Sequence, residues 1–285
     1  MKTKLILGTV QFGQNYGINN SIGKLPQSDV FQILDEAALQ GINLLDTADA
    51  YGNAVEIIGK FHQTHNHKFD VLSKFKNVDP KDLKETAEKS LEKLNISSFK
   101  VYSYHSSLDY FKQPNLQDEL HKLKQDGLTE KVGISIYTND DFEKIITSDL
   151  IDVIQLPYNL LDNTYQKGNL IHKAKQFNKT IHVRSVFLQG LIFKDLNTLP
   201  EKLQPLSPYL QTIRDISVDN NITIESLALS YAIFNNEIDN VLIGVDTKQQ
   251  LLDNIKAIHK RQNIFNLINN SIKVNETKLL NPVNW

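Results

Sequence analysis

The stretch Leu44-Leu45-Asp46-Thr47-Ala48-Asp49-Ala50-Tyr51-Gly52 decides how this chain is read. An apolar run ends in a carboxylate, small and polar residues follow, and a phenol then stands beside a glycine. A run this short reads as a buried strand that stops where its side chains turn polar. Seven further runs have the same form: Lys4–Gly8, Phe69–Ser73, Phe99–Tyr104, Lys131–Ser135, Asp152–Leu156, Thr180–Ser185 and Asn240–Gly244. With Ile42–Asp46 they make eight. Helical patterns fill the intervals, most clearly from Asp79 to Leu94. There Asp79 suits a cap, Pro80 suits the first helical position, and Leu83, Ala87, Leu91 and Leu94 share one face. Lys84/Glu88 and Glu85/Lys89 fall on the opposite, solvent side.

Strands and helices that alternate eight times, with no Pro/Gly-rich linker, predict a single (β/α)8 TIM barrel over residues 1–285. Residues 261–285 have no strong period and are expected to pack over the barrel or one rim as a C-terminal tail. The rival is a doubly wound open sheet, but no Gly-x-Gly-x-x-Gly follows any strand. Three connections exceed what a barrel loop needs: Phe12–Pro26, Tyr104–Pro114 and Phe187–Ser207. Loops that follow barrel strands build the mouth, so these are candidate substrate walls.

Composition narrows the classes. The 285 residues are 40% hydrophobic, with net charge −2 and no cysteine. Together with a pI near 6.4, the charge gives no reason to expect nucleic acid or an anionic membrane surface as partner. Without cysteine there is no disulfide framework and no thiolate metal site. The apolar start Leu5-Ile6-Leu7-Gly8 is short for a signal peptide, and no run reaches the ~18 apolar residues of a membrane span. A cytoplasmic protein is therefore expected, while its oligomeric state is not legible. The histidines of His62-Gln63-Thr64-His65-Asn66-His67 lack a completing carboxylate or cysteine, so no metal is assigned there. Only Arg184, Arg214 and Arg261 are arginines, which singles each of them out.

Side chains at the C-terminal ends of barrel strands converge at the mouth. Those ends carry Asp46, Lys74, His105, Ser135, Gln155, Arg184 with Ser185, and Gly244, and Tyr51 lies on the loop that Asp46 begins. Singly, each reads as ordinary: a turn aspartate, a loop tyrosine, a surface lysine, a buried histidine. Together, Asp46, Tyr51, Lys74 and His105 are suited to proton transfer to a carbonyl oxygen. A free phenol has a pKa of about 10. A nearby ammonium is expected to lower it, and a carboxylate would keep that ammonium charged and in place. A histidine N–H aimed at the same point would polarise the carbonyl.

In these residues the chain resembles the aldo-keto reductase superfamily. Leu7-Gly8-Thr9-Val10-Gln11-Phe12-Gly13 is similar to its first-strand signature. Asp46-Thr47-Ala48-Asp49-Ala50-Tyr51-Gly52, followed by Glu56-Ile57-Ile58-Gly59, resembles its most specific motif. Ser73-Lys74 and Tyr104-His105 match the remaining catalytic positions, and Ser185–Leu191 and Ile243–Asn254 resemble its cofactor segments. The resemblance implies an NAD(P)H-dependent reductase of a small-molecule carbonyl compound, with Tyr51 as proton donor, Lys74 bridged to Asp46, and His105 orienting the carbonyl. It further implies cofactor contacts from Gly8, Thr9, Val10, Ser135, Gln155, Arg184, Ser185, Leu188, Gly190, Gly244, Val245, Thr247, Lys248, Gln250 and Asn254. Ser135 and Gln155 would hold the carboxamide. NADP(H) is favoured over NAD(H), because a helix start near the adenosine 2′-position suits a phosphate.

The chain departs from the family at four points. Ile136 replaces a frequent Asn, Arg184 stands where an aromatic is common, and Asp246 stands where many NADP-preferring relatives have a small hydroxyl. The N-terminal hairpin is absent or very short. Arg184 reads either as part of a salt bridge in the mouth or as a grip on an anionic group of cofactor or substrate. The substrate expected from Arg184 and the polar loops is a polar, sugar-like carbonyl compound, neutral or anionic. Two other readings are a non-catalytic cofactor-binding regulator of the same fold, and a barrel isomerase or aldolase with Lys74 as a Schiff base. Asp46 opposes the last, since it would keep Lys74 charged.

Overall fold

The computed structural model describes residues 4–17, 23–258 and 264–285. All eight expected strands form: β1 Leu5–Gly8, β2 Leu44–Asp46, β3 Asp70–Phe75, β4 Phe99–Tyr104, β5 Thr129–Ser135, β6 Val153–Pro157, β7 Thr180–Arg184 and β8 Asn240–Gly244. They pair in parallel in sequence order, and β8 closes onto β1 through Leu5↔Val241 to Gly8↔Gly244, so the sheet is a closed barrel. Closure leaves no strand edge unpaired and excludes the open-sheet rival.

Period-two alternation divides the side chains of each strand between two cores. Ile6, Leu72, Val101 and Val153 pack inside the barrel with Leu44 and Leu242 against them. Two residues further along β2, β3, β6 and β8 come Asp46, Lys74, Gln155 and Gly244. The barrel is thus filled by an apolar layer below and floored by a polar layer above, at the C-terminal ends. The outward-facing side chains form the larger core with the helices, including Phe61, Phe75, Phe99 and Tyr102.

The helix after β3 shows how local sequence builds the outer ring. The Asp79 side chain accepts from the Lys81 N–H at 3.2 Å, a 3-10 turn Pro80–Asp82 follows, and the α-helix runs Leu83–Leu94. Leu83, Ala87, Leu91 and Leu94 are buried. Glu85 and Lys89 pair at 2.5 Å, whereas Lys84 pairs across to Asp126 at 2.7 Å.

Within the tail, Ile264–Ser271 is helical and buries Ile264 and Ile268. Asn163 Nδ2 donates to Ile272 O at 2.9 Å, and Gln166 Nε2 donates to Val274 O at 2.6 Å. The helix Thr164–Gln176, which follows β6, therefore anchors the tail. Arg261 lies outside the described residues. Among the described residues no helix is long and apolar enough to cross a membrane.

Candidate active site

Asp46 ends β2 and Lys74 is the penultimate residue of β3, so both reach the polar floor, each about 3% exposed. The Lys74 ammonium donates to Asp46 Oδ1. Gln155 Nε2 donates to the other oxygen, Asp46 Oδ2, at 2.7 Å. Both carboxylate oxygens are therefore occupied, which makes Asp46 a holder of neighbours rather than a free base. Burial lowers the Lys74 pKa, and the Asp46 charge opposes that shift.

Tyr51 is half-buried and stands above this pair. The Lys74 Nζ lies 5.7 Å from the centre of its ring. The His105 ring meets the phenol edge-on, with centres 6.0 Å apart. Two glycines bring the loop here. Gly52 has φ +56°, and a Cβ on it would come 2.3 Å from Gly13 O, while one on Gly13 would come 1.7 Å from Tyr51 O. The loop after β2 thus rests backbone-to-backbone on the short helix after β1. Only glycine permits that approach, which explains the Tyr-Gly pair.

The electrostatics depart from the expected acidified phenol. Burial raises the Tyr51 pKa above the ordinary phenol value, Asp46 raises it further, and Arg184 is the cation that opposes the rise. The ion pair that holds Lys74 also cancels much of its field at the phenol. Burial, then the charges of Lys74 and Lys76, hold the His105 pKa down at about 4. The imidazole is neutral near pH 7, and its Nδ1 is buried without a partner among the described residues.

A cavity of about 470 Å³ opens over this floor. Of the residues expected to contact a cofactor, Gly8, Thr9, Val10, Gln155, Arg184, Ser185, Gly190, Gly244, Gln250 and Asn254 line it, as do Asp46 and Tyr51. Ser135, Leu188 and Val245 are buried elsewhere. Thr247 caps the helix Lys248–Ala257 by accepting from the Gln250 N–H at 3.0 Å. Lys248 is held by Glu36 at 3.0 Å rather than standing at the cavity wall. Of the three long loops, the first contributes Tyr16 and Gly17 and the third contributes Phe187, Gln189, Gly190 and Phe193, while no residue from 104 to 114, His105 included, is on the cavity lining.

Arg184 makes no salt bridge among the described residues. Its guanidinium stacks on the Tyr137 ring, 4.2 Å from the centre, and Nη2 donates to Ile136 O at 3.1 Å. Gln11, Tyr16, Glu225 and Asp253 line the cavity without having been singled out by sequence. Gln11, Tyr16 and Asp253 lie within stretches already marked, the first-strand signature, the first long loop and the segment Ile243–Asn254, whereas Glu225 falls in no motif and is brought to the mouth by barrel closure. The histidine patch is structural at its first member. His62 Nε2 accepts from the Phe69 N–H at 3.1 Å and Nδ1 faces Leu94 O at 2.8 Å, which sets a neutral, Nδ1-protonated ring.

The Aldo/keto reductase family profile matches residues 4–268. The chain belongs to the aldo/keto reductase family. It is an oxidoreductase of a family that uses nicotinamide cofactors. Its curated relatives include the NADH-specific methylglyoxal reductase of Escherichia coli, 23% identical over 90% of both chains. L-galactose dehydrogenase of Arabidopsis thaliana is 25% identical over 92% of this chain and 88% of its own length. Among solved structures, an aldo-keto reductase of Bacillus halodurans in its holo form superposes with a TM-score of 0.77 at 20% identity, covering 96% of this chain and 95% of that one. At that identity the likeness speaks for the fold.

The mouth has features that fit a dinucleotide of the family's kind. The Gln11 amide lies over Gly244, where an added Cβ would come 2.6 Å from it. Gln11 Oε1 is buried and has no partner among the described residues. After β7, Leu188, Gln189 and Gly190 take successive positive φ angles of 48°, 54° and 92°. The turn closes on itself, since the Leu188 N–H donates to Ser185 O at 2.9 Å and the Gly190 N–H to Phe187 O at 2.8 Å.

Proposed function

We propose that the chain reduces the carbonyl of a small, polar, sugar-like aldehyde or ketone to an alcohol, with Tyr51 as proton donor. The observation that carries this reading is the convergence of four residues from three strand ends. The Asp46–Lys74 pair lies under a phenol that meets His105 edge-on at 6.0 Å, beside a 470 Å³ cavity.

The nicotinamide cofactor, when bound, supplies the hydride. The remaining steps belong to the protein. His105, neutral near pH 7, has one N–H to give to the substrate oxygen and orients the carbonyl. Negative charge gathers on that oxygen as its carbon is reduced, and Tyr51 donates its proton there. An alkoxide is a stronger base than a phenolate, so a phenol with a raised pKa remains a competent donor. Lys74, whose Nζ lies 5.7 Å from the ring centre, then faces the new phenolate, and Asp46 with Gln155 fixes where it stands. A regulator without chemistry would not need a buried ion pair beneath a half-buried phenol, since such a pair is costly to desolvate.

For the cofactor, we read the far wall of the cavity in favour of NAD(H), against the NADP(H) expected from the resemblance. Glu225, Asp246 and Asp253 place three carboxyl side chains on the lining, and Lys248 is engaged by Glu36. Carboxylates accept hydrogen bonds from ribose hydroxyls and repel a 2′-phosphate. The E. coli relative described as NADH-specific agrees with this choice. Fluorescence titration with NADH and NADPH separately tests it. Tighter binding of NADH is expected, tighter NADPH would overturn the preference, and binding of neither would end the reductase reading.

A further inference from the structure

We propose that Arg184 binds an anionic oxygen group, a carboxylate or a phosphate, carried by the carbonyl substrate. The inference rests on the reductase reading and names the substrate class more closely. A guanidinium is charged at every working pH and offers five N–H donors. Two donors of Arg184 meet neutral acceptors: Nη2 donates to Ile136 O at 3.1 Å, and Nη1 donates to Ser185 Oγ at a long 3.4 Å. No carboxylate stands within ion-pair distance of it among the described residues. The buried lysines nearby are already matched. Lys74 is paired with Asp46, and Asp162, whose charge Arg184 senses, is paired with Lys167. Arg184 therefore lines the cavity without a counter-ion among the described residues, while Glu225, Asp246 and Asp253 place carboxyl groups elsewhere on the lining.

The cation is also held in a fixed plane. Stacking on Tyr137 at 4.2 Å and the Ile136 bond orient the fork, and a planar fork suits the parallel hydrogen bonds of a carboxylate or phosphate. It lies close enough to the chemistry to matter. Its charge lowers the Tyr51 pKa and opposes protonation of His105. An anion bound to Arg184 would thus tether the substrate with its carbonyl facing Tyr51 and His105. A half-buried cation without a counter-ion is costly to maintain for packing alone.

Two matched pairs test this: glyoxylate against glycolaldehyde, and glyceraldehyde 3-phosphate against glyceraldehyde. Calorimetry on the wild type, with and without saturating NAD⁺, reads their affinities, and Arg184→Gln and Arg184→Lys are read the same way. The wild type is expected to bind the anionic member of at least one pair tenfold or more tightly. That ratio should fall close to one in Arg184→Gln and partly survive in Arg184→Lys. The pair that responds distinguishes carboxylate from phosphate. Equal affinities within both pairs, or a preference that survives Arg184→Gln, would overturn the proposal. So would a tenfold loss of NAD⁺ affinity in Arg184→Gln without any change in the ratios, which would assign the anion to the cofactor. Failure of any nicotinamide to bind while the preference holds would sink the reductase reading instead.

Discussion

At the scale of single residues, four side chains that look ordinary in isolation acquire roles through their neighbours. Asp46 has both oxygens occupied, by Lys74 and by Gln155, so its part is to hold the floor rigid. Removing the cation strands the carboxylate. Lys74→Met should therefore cost about 3–5 kcal/mol of stability in denaturant titration, and Lys74→Met/Asp46→Asn should recover part of that loss. Tyr51 has the opposite character: its hydroxyl has no hydrogen-bond partner among the described residues, so little in the fold depends on it. Its acidity is not set as the sequence suggested. Lys74 is near, but pairing with Asp46 blunts its field, and burial dominates. Charge partners can be guessed from residue types, whereas the net field needs distances.

At the scale of elements, the loop after β2 is placed by glycine contact, and the helix after β8 by a cap and an ion pair. Gly52→Ala would force a Cβ to 2.3 Å from Gly13 O at φ +56°. That substitution should cost more than about 1 kcal/mol and lower kcat by displacing Tyr51, both measurable on one purified variant. At the far wall, Asp246→Ser should raise the ratio of NADPH to NADH affinity, as read by fluorescence titration; an unchanged ratio would locate specificity elsewhere. The eight strands were legible in the sequence because buried parallel strands are short apolar runs, and none of their ends moved by more than two residues. The tail helix Ile264–Ser271 was not, since eight asparagine-rich residues offer too short a window for a period. Nor could Lys248 be seen to belong to Glu36, because that pair joins helices far apart in the chain.

At the scale of the whole molecule, closing the barrel gathers distant residues and also buries groups that pay no visible part in the chemistry. His182 on β7 is one: it is 4% exposed, and its Nδ1 has no partner among the described residues. Burial holds its pKa down at about 4, as it does for His105. The unfolded chain, with histidine pKa near 6.5, binds more protons than the native one between these values. Stability should therefore be complete above about pH 6.5, decline as pH falls, and finish declining near pH 4. The His182 share is on the order of 2–3 kcal/mol. Guanidinium denaturation across this range should show the decline, and His182→Gln should flatten it. The sequence had absorbed His182 into an apolar run, since strand patterns do not distinguish a histidine facing the barrel interior from one facing solvent.

The proton-donor assignment is tested most directly by comparing wild type with Tyr51→Phe under saturating NADH and a reducible aldehyde. We expect kcat for the variant to fall by about 10²–10⁴ while its NADH affinity stays within about threefold of wild type. Turnover that survives the substitution at more than about a tenth of the wild-type rate would remove Tyr51 from the chemistry.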